Sequence, residues 1–185
     1  MNTPVYVVAA RDTTHAAEIA AFLPAESALF TEGAALRDAD ISGAKAAVIS
    51  TPLSDESGPD LAAFLSRKTS LAVILLTKNE VAADIAHRLR FAEVAVLPRP
   101  VSRSTLNAAI DTSVMFRAAT EKLRRDLALA NKQLDEQKQV FRAKACLMEH
   151  HGLTEDEAHG KLRREAMDRR LTLAEVAVEV INDFR

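Results

Sequence analysis

From Ser102 to His151 the chain contains neither proline nor glycine. These are the two residues that ordinarily interrupt a helix, proline by removing an amide donor and clashing with the preceding turn, glycine through the entropy of its backbone. A stretch of this length without either predicts one continuous helix of roughly ten turns or more. Ser102 is placed at its N-cap, and Gly152 is placed where a left-handed residue would stop it. A rod of that size organises everything else, because the segments on its two sides must each find a core of their own.

Stepping along the rod by three and four residues alternately gives Leu106, Ala109, Ser113, Phe116, Thr120, Leu123, Leu127, Ala130, Leu134, Gln137 and Phe141, and eight of these eleven are apolar. A stripe sustained at that spacing predicts a coiled coil. Leu106, Phe116, Leu123, Leu127, Leu134 and Phe141 are the expected dimerisation residues of a parallel homodimer. Thr120 and Gln137 weaken the seam while fixing its register. The alternative is a bent helix that folds back on the preceding domain.

Beyond Gly152 two further helix starts share one grammar. Thr154-Glu155-Asp156-Glu157 and Thr172-Leu173-Ala174-Glu175 are both Thr-x-x-Glu capping boxes, in which hydroxyl and carboxylate satisfy amides of the first turn. The first helix carries Ala158, Leu162 and Ala166 on one stripe, and the second is expected to bury Leu173, Val176, Ala177, Val180 and Ile181. With the end of the long helix this makes a small three-helix bundle. Its core is thin and by area scaling marginal alone, so it is expected to lean on the preceding part of the chain or on a second copy.

Before the rod, short apolar runs alternate with helical spacing. Val5-Tyr6-Val7-Val8, Ala28-Leu29-Phe30, Ala46 to Ile49, Leu71 to Leu76 and Val94 to Leu97 read as buried parallel strands. Segments near Thr14–Leu23, Ala34–Ile41, Pro59–Arg67 and Asn79–Leu89 read as helices. Five strands alternating with helices make a doubly wound, flavodoxin-like α/β domain with a parallel sheet. The expected division is 1–101 for this domain, 102–140 for the coiled-coil helix and 141–185 for the terminal bundle.

A hydrophobic content of 48% supports a packed core, and a net charge of -2 gives no global polycation. The single cysteine, Cys146, rules out an internal disulfide. Neither a signal-peptide pattern nor an apolar run of membrane-spanning length is present, so a soluble, cytoplasmic chain is expected. Charge is localised instead. Between Arg117 and Lys144 eight basic residues face four acidic ones, while the tail beyond is acidic overall yet clusters Lys161, Arg163, Arg164, Arg169 and Arg170.

The tail resembles the ANTAR family, the RNA-binding module of AmiR/NasR-type transcription antiterminators. The resemblance runs through Ala143-Lys144-x-x-Leu147-Met148, Gly152-Leu153-Thr154, Glu157-Ala158, Leu162-Arg163, Ala166-Met167 and Val176-Ala177. It implies binding to hairpins in nascent messenger RNA that prevents a terminator from forming. Lys144, Arg163, Arg164, Arg169 and Arg170 are then the candidate RNA surface, able to neutralise phosphates or stack on loop bases, with His159 one turn before Arg163 as a stacking residue. Without the resemblance, the same charges read as a solvated face paired with Glu165 and Asp168.

The first hundred residues look like a response-regulator receiver domain, through Val48-Ile49-Ser50, Pro52, Gly58, Thr77 and Arg99-Pro100. The likeness fails at the chemistry. Where receivers carry the acidic magnesium ligands, the phosphorylated aspartate and a lysine, this chain has Ala9, Ala10, Thr51 and Arg99, which with Thr77 form a degenerate phosphorylation pocket. Alanines supply no hard oxygen ligands. Asp12 and Asp55 are close in sequence, but loop aspartates more commonly make turns and caps. In the branch of the family with degenerate receivers, a ligand-sensing protein sequesters the regulator, and that resemblance implies such a negative-regulator partner here.

Cys146 and His150 stand one helical turn apart, beside Glu149 and His151, but two ligands do not make a metal site and no second pair exists. No metal and no cofactor are expected. The chain carries no nucleophile, base and orienting residue in a catalytic spacing and no glycine-rich phosphate loop, so it is not expected to be an enzyme. Two other functions fit the same layout: a DNA-binding response regulator with a helix-turn-helix output, and a protein-binding adaptor.

Overall fold

The computed structural model describes residues 6–41 and 43–184. Val5, expected in the first strand, lies outside the described residues. Twelve elements succeed one another: β1 (Tyr6–Ala9), α1 (Thr13–Ala20), β2 (Ser27–Phe30), α2 (Gly33–Asp38), β3 (Ala46–Ser50), α3 (Gly58–Lys68), β4 (Ala72–Lys78), α4 (Asn79–Arg88), β5 (Val94–Arg99), α5 (Arg103–His151), α6 (Glu155–Arg169) and α7 (Leu173–Asp183). They divide into two compact units, Met1–Lys122 and Leu123–Arg185.

In the first unit all five strands pair in parallel, in the order β2-β1-β3-β4-β5. The period-two geometry of a strand sends alternate side chains to opposite faces. Val7, Ala9, Ala47, Ile49, Val73 and Leu75 face one side with Leu36, Leu61 and Leu65 of α2 and α3. Tyr6, Val8, Ala46, Val48, Ile74 and Leu76 face the other with Ala16 and Ile19 of α1. Continuous apolar runs were thus the signature of strands covered on both faces.

Leu106 and Ile110, in the first turns of α5, are buried in that second core, with Val114 packed against it. This corrects one dimerisation residue. Leu106 is fully enclosed by its own domain and offers nothing to a partner helix. The stripe that begins with it serves two purposes along one helix, and only the later part is exposed: Phe116 61%, Leu123 68%, Leu127 63%, Leu134 49% and Phe141 68%.

Arg117 also departs from the expected basic surface. It is 5% exposed, and its guanidinium donates to the carbonyls of Ser66 (2.7 Å) and Thr69 and pairs with Glu93. Ser66 and Thr69 close α3, so a cation caps the negative end of that helix.

The second unit is a three-helix core. Ala143 and Leu147 come from α5, Ala158, Leu162 and Ala166 from α6, and Val176, Ala177 and Val180 from α7. Leu173 and Ile181, expected to be buried, lie at the edge of this core and are partly exposed. Both capping boxes form, with Thr154 and Thr172 accepting from the amides of Glu157 and Glu175 and the glutamates returning to the threonine amides. Gly152 takes φ +66° where α5 ends, and Arg170 takes the left-handed conformation where α6 ends.

Candidate nucleic-acid interface

Two places carry the expected site residues, one in each unit. At the carboxyl end of the sheet, Ala9 and Ala10 are completely buried and apolar. Thr51 follows β3; its amide and its hydroxyl both donate to the Leu76 carbonyl, at 2.9 and 3.2 Å, and its own carbonyl accepts from Arg99. Thr77 is buried in β4. His15, which no sequence motif marked, completes the cluster: its Nε2 lies 3.1 Å from Nη1 of Arg99 and 3.0 Å from the Ser50 hydroxyl. Only its place in the first turn of the helix after β1 hinted at this.

Asp12 and Asp55 are both taken up as helix caps. Asp12 accepts from the His15 amide at 2.8 Å, which, together with Arg11, holds its carboxyl below the usual range. Asp55 accepts from the amides of Ala34 and Gly33, each at 2.9 Å, with the same effect. With alanines at the end of β1 and just after it and Arg99 and Lys78 lining the cavity there, these residues do not fit a magnesium ion. Among the described residues no group of three or more His, Cys, Asp or Glu is placed to hold a metal.

In the second unit the expected RNA residues separate. Lys144 and His159 line one groove of about 600 Å³, together with Gln137, Phe141 and Leu173. The Lys144 ammonium lies 2.6 Å from Glu155, whose carboxyl it holds below the ordinary range. Phe141, read from sequence as a seam residue, borders this groove as well. Arg163 follows His159 by one turn on the same flank of α6. Arg163, Arg164 and Arg170 are exposed and have no ion pair among the described residues. Arg169 is different: it donates to Glu165 at 3.2 Å and to both oxygens of Glu179, clasping α6 to α7. It faces a separate groove that also contains Lys161 and Phe184. His150 stacks on Phe184 with ring centroids 4.5 Å apart, and His151 meets that ring edge-on, so both histidines are absorbed in packing rather than ligation.

The three-helix unit coincides with a known family model: residues 128–181 match the ANTAR domain. The chain is 36% identical over 126 residues to the transcriptional regulatory protein PdtaR of Mycobacterium tuberculosis, covering 67% of this chain and 60% of that protein. Residues 128–181 are thus an ANTAR domain, in a chain similar to a transcriptional regulatory protein. It is also 27% identical over 129 residues to the aliphatic amidase regulator of Pseudomonas aeruginosa, covering 70% of this chain and 64% of that one. The alignments therefore span about three fifths of the curated relatives' length. The N-terminal fold matches a response regulator receiver domain protein from Clostridium thermocellum with a TM-score of 0.54 at 18% identity, over 62% of this chain and 97% of the other. The ANTAR match starts at residue 128, inside α5 and upstream of the expected boundary at 141. Lys144, His159, Arg163, Arg164, Arg169 and Arg170 all fall within it. No described helix is long and apolar enough to cross a membrane.

Proposed function

We propose that this chain regulates transcription by antitermination, binding hairpins in nascent leader RNA through its ANTAR domain. The observation that carries this reading is the flank of that domain on which Lys144 and His159 share a groove with exposed Phe141, continued along α6 by Arg163, with exposed Arg170 at the helix end. Cations there neutralise phosphates, and the aromatic and imidazole rings offer faces for unstacked loop bases. Arg164 adds a further unpaired cation on the outward face of α6. Arg169 acts through the clasp with Glu179 and not by touching RNA.

Two copies bind together through the exposed part of α5, from Phe116 to Leu134, which leaves Phe141 to the groove. Control comes from a ligand-sensing protein partner instead of phosphorylation; the support for this is Ala9, Ala10 and Thr51, which provide neither the metal ligands nor the phosphoacceptor.

Gel shifts with leader transcripts from the gene's neighbourhood, paired with a terminator-bypass assay, test the reading. RNA hairpins should bind in preference to duplex DNA. Replacing Lys144 and Arg163 by alanine should weaken binding by about 1–3 kcal/mol and flatten its salt dependence. Preference for duplex DNA, or unchanged antitermination in that double variant, would refute it.

A further inference from the structure

We infer that the carboxyl end of the receiver-type sheet is a binding site for a small organic carboxylate with an apolar body. In an open α/β sheet of this strand order, the connections leaving the neighbouring strands β1 and β3 run to opposite faces at a topological switch point, and the crevice beyond the strand ends there is where ligands bind. Two cavities meet at that place. The smaller, about 250 Å³, is lined by Arg11, His15, Thr51, Pro52, Lys78 and Arg99, with no carboxylate in its wall. The larger, about 620 Å³, shares His15, Lys78 and Arg99 and continues over Ile19, Phe22, Leu76, Val101 and Leu106. A cationic end therefore opens into an apolar one, within the roughly 300–1,000 Å³ typical of ligand pockets.

The donors that remain determine the head group. Arg11 is bonded to Asp12, and the terminal nitrogens of Arg99 serve His15 and the Thr51 carbonyl. Lys78 is exposed and has no ion pair among the described residues. One free ammonium beside an already engaged guanidinium suits a carboxylate, with its single charge, better than a phosphate dianion. Glu18, which meets His15 at 3.4 Å, and Glu80 border the larger cavity and disfavour a second negative charge on the ligand. The apolar body then rests against Phe22 and Val101. This site is independent of the RNA reading, and its test contains no RNA.

Isothermal titration of the full chain with 4-phenylbutyrate, octanoate, the neutral 4-phenylbutyramide and inorganic phosphate tests it. At least one of the two carboxylates should bind, and the amide and phosphate should bind at least about tenfold more weakly. Lys78→Gln, at an exposed position, should keep the fold and weaken the carboxylate by about tenfold; Arg99→Gln should do the same, and Phe22→Ala should weaken it with little change in the preference over phosphate. No heat from either carboxylate at about 10 mM, equal binding of acid and amide, or unchanged binding in Lys78→Gln overturns the assignment.

Discussion

A β-carbon built on Gly58 would sit 2.2 Å from Cγ2 of Thr51, so the residue that opens α3 is fixed by the one just after β3. Gly58→Ala is predicted to lower stability by roughly 1–3 kcal/mol through overpacking. Thr51→Ser removes the offending methyl while keeping the hydroxyl that donates to Leu76, so the double variant should recover most of the loss. Chemical denaturation of the four species gives the coupling energy, and additive effects would show that the contact is not what Gly58 protects. Acid sensitivity is also set residue by residue. Glu157 and Glu175 accept from the amides and hydroxyls of Thr154 and Thr172, Glu155 from Lys144 and Glu179 from Arg169, and each is held below its ordinary 4.5. A depressed folded value means the unfolded chain binds the proton more readily, so the stabilisation is complete above about pH 4.5 and is lost as pH falls through the folded values. Melts monitored between pH 3 and 7 should show that loss, and Glu157→Gln with Glu175→Gln should flatten it.

At the scale of elements, α5 shows what was legible and what was not. The run without proline or glycine foretold one helix, and its three-four stripe foretold an apolar face. That stripe did not reveal what covers it, because Leu106 in a receiver core and Leu123 on an open helix obey the same period. Arg117 was equally opaque: among eight basic residues, nothing local distinguished the one whose partners, Ser66 and Thr69, lie far back in the chain. The strands and caps were readable because periodicity and the Thr-x-x-Glu grammar are local, whereas His15 joined Arg99 and Ser50 only through the sheet's crossovers. Arg117 yields a prediction at this scale. Arg117→Met keeps much of the side chain's volume but removes the donors to the Ser66 and Thr69 carbonyls and the ion pair with Glu93. It should cost roughly 3 kcal/mol and show in hydrogen exchange as loss of protection in the last turn of α3. Protection unchanged there would mean that Arg117 contributes packing alone.

For the whole molecule, the exposed length of α5 and the ANTAR domain together make a quantitative expectation. If α5 pairs two chains, two RNA modules become tethered, and a transcript carrying two hairpins meets the second module at an effective concentration near millimolar instead of that of free protein. Such an RNA should bind about 100-fold or more tightly than either hairpin alone, with no new contact required. Leu123→Asp with Leu127→Asp probes this cleanly, since both side chains are largely exposed and belong to neither hydrophobic core. The variant should fold, run as a monomer in light scattering, bind a single hairpin as the parent does, and lose the advantage of the paired one. Retention of that advantage by a demonstrated monomer would place both hairpins on one ANTAR domain. Loss of single-hairpin binding as well would mean that α5 is needed for contact with RNA, beyond holding two copies together.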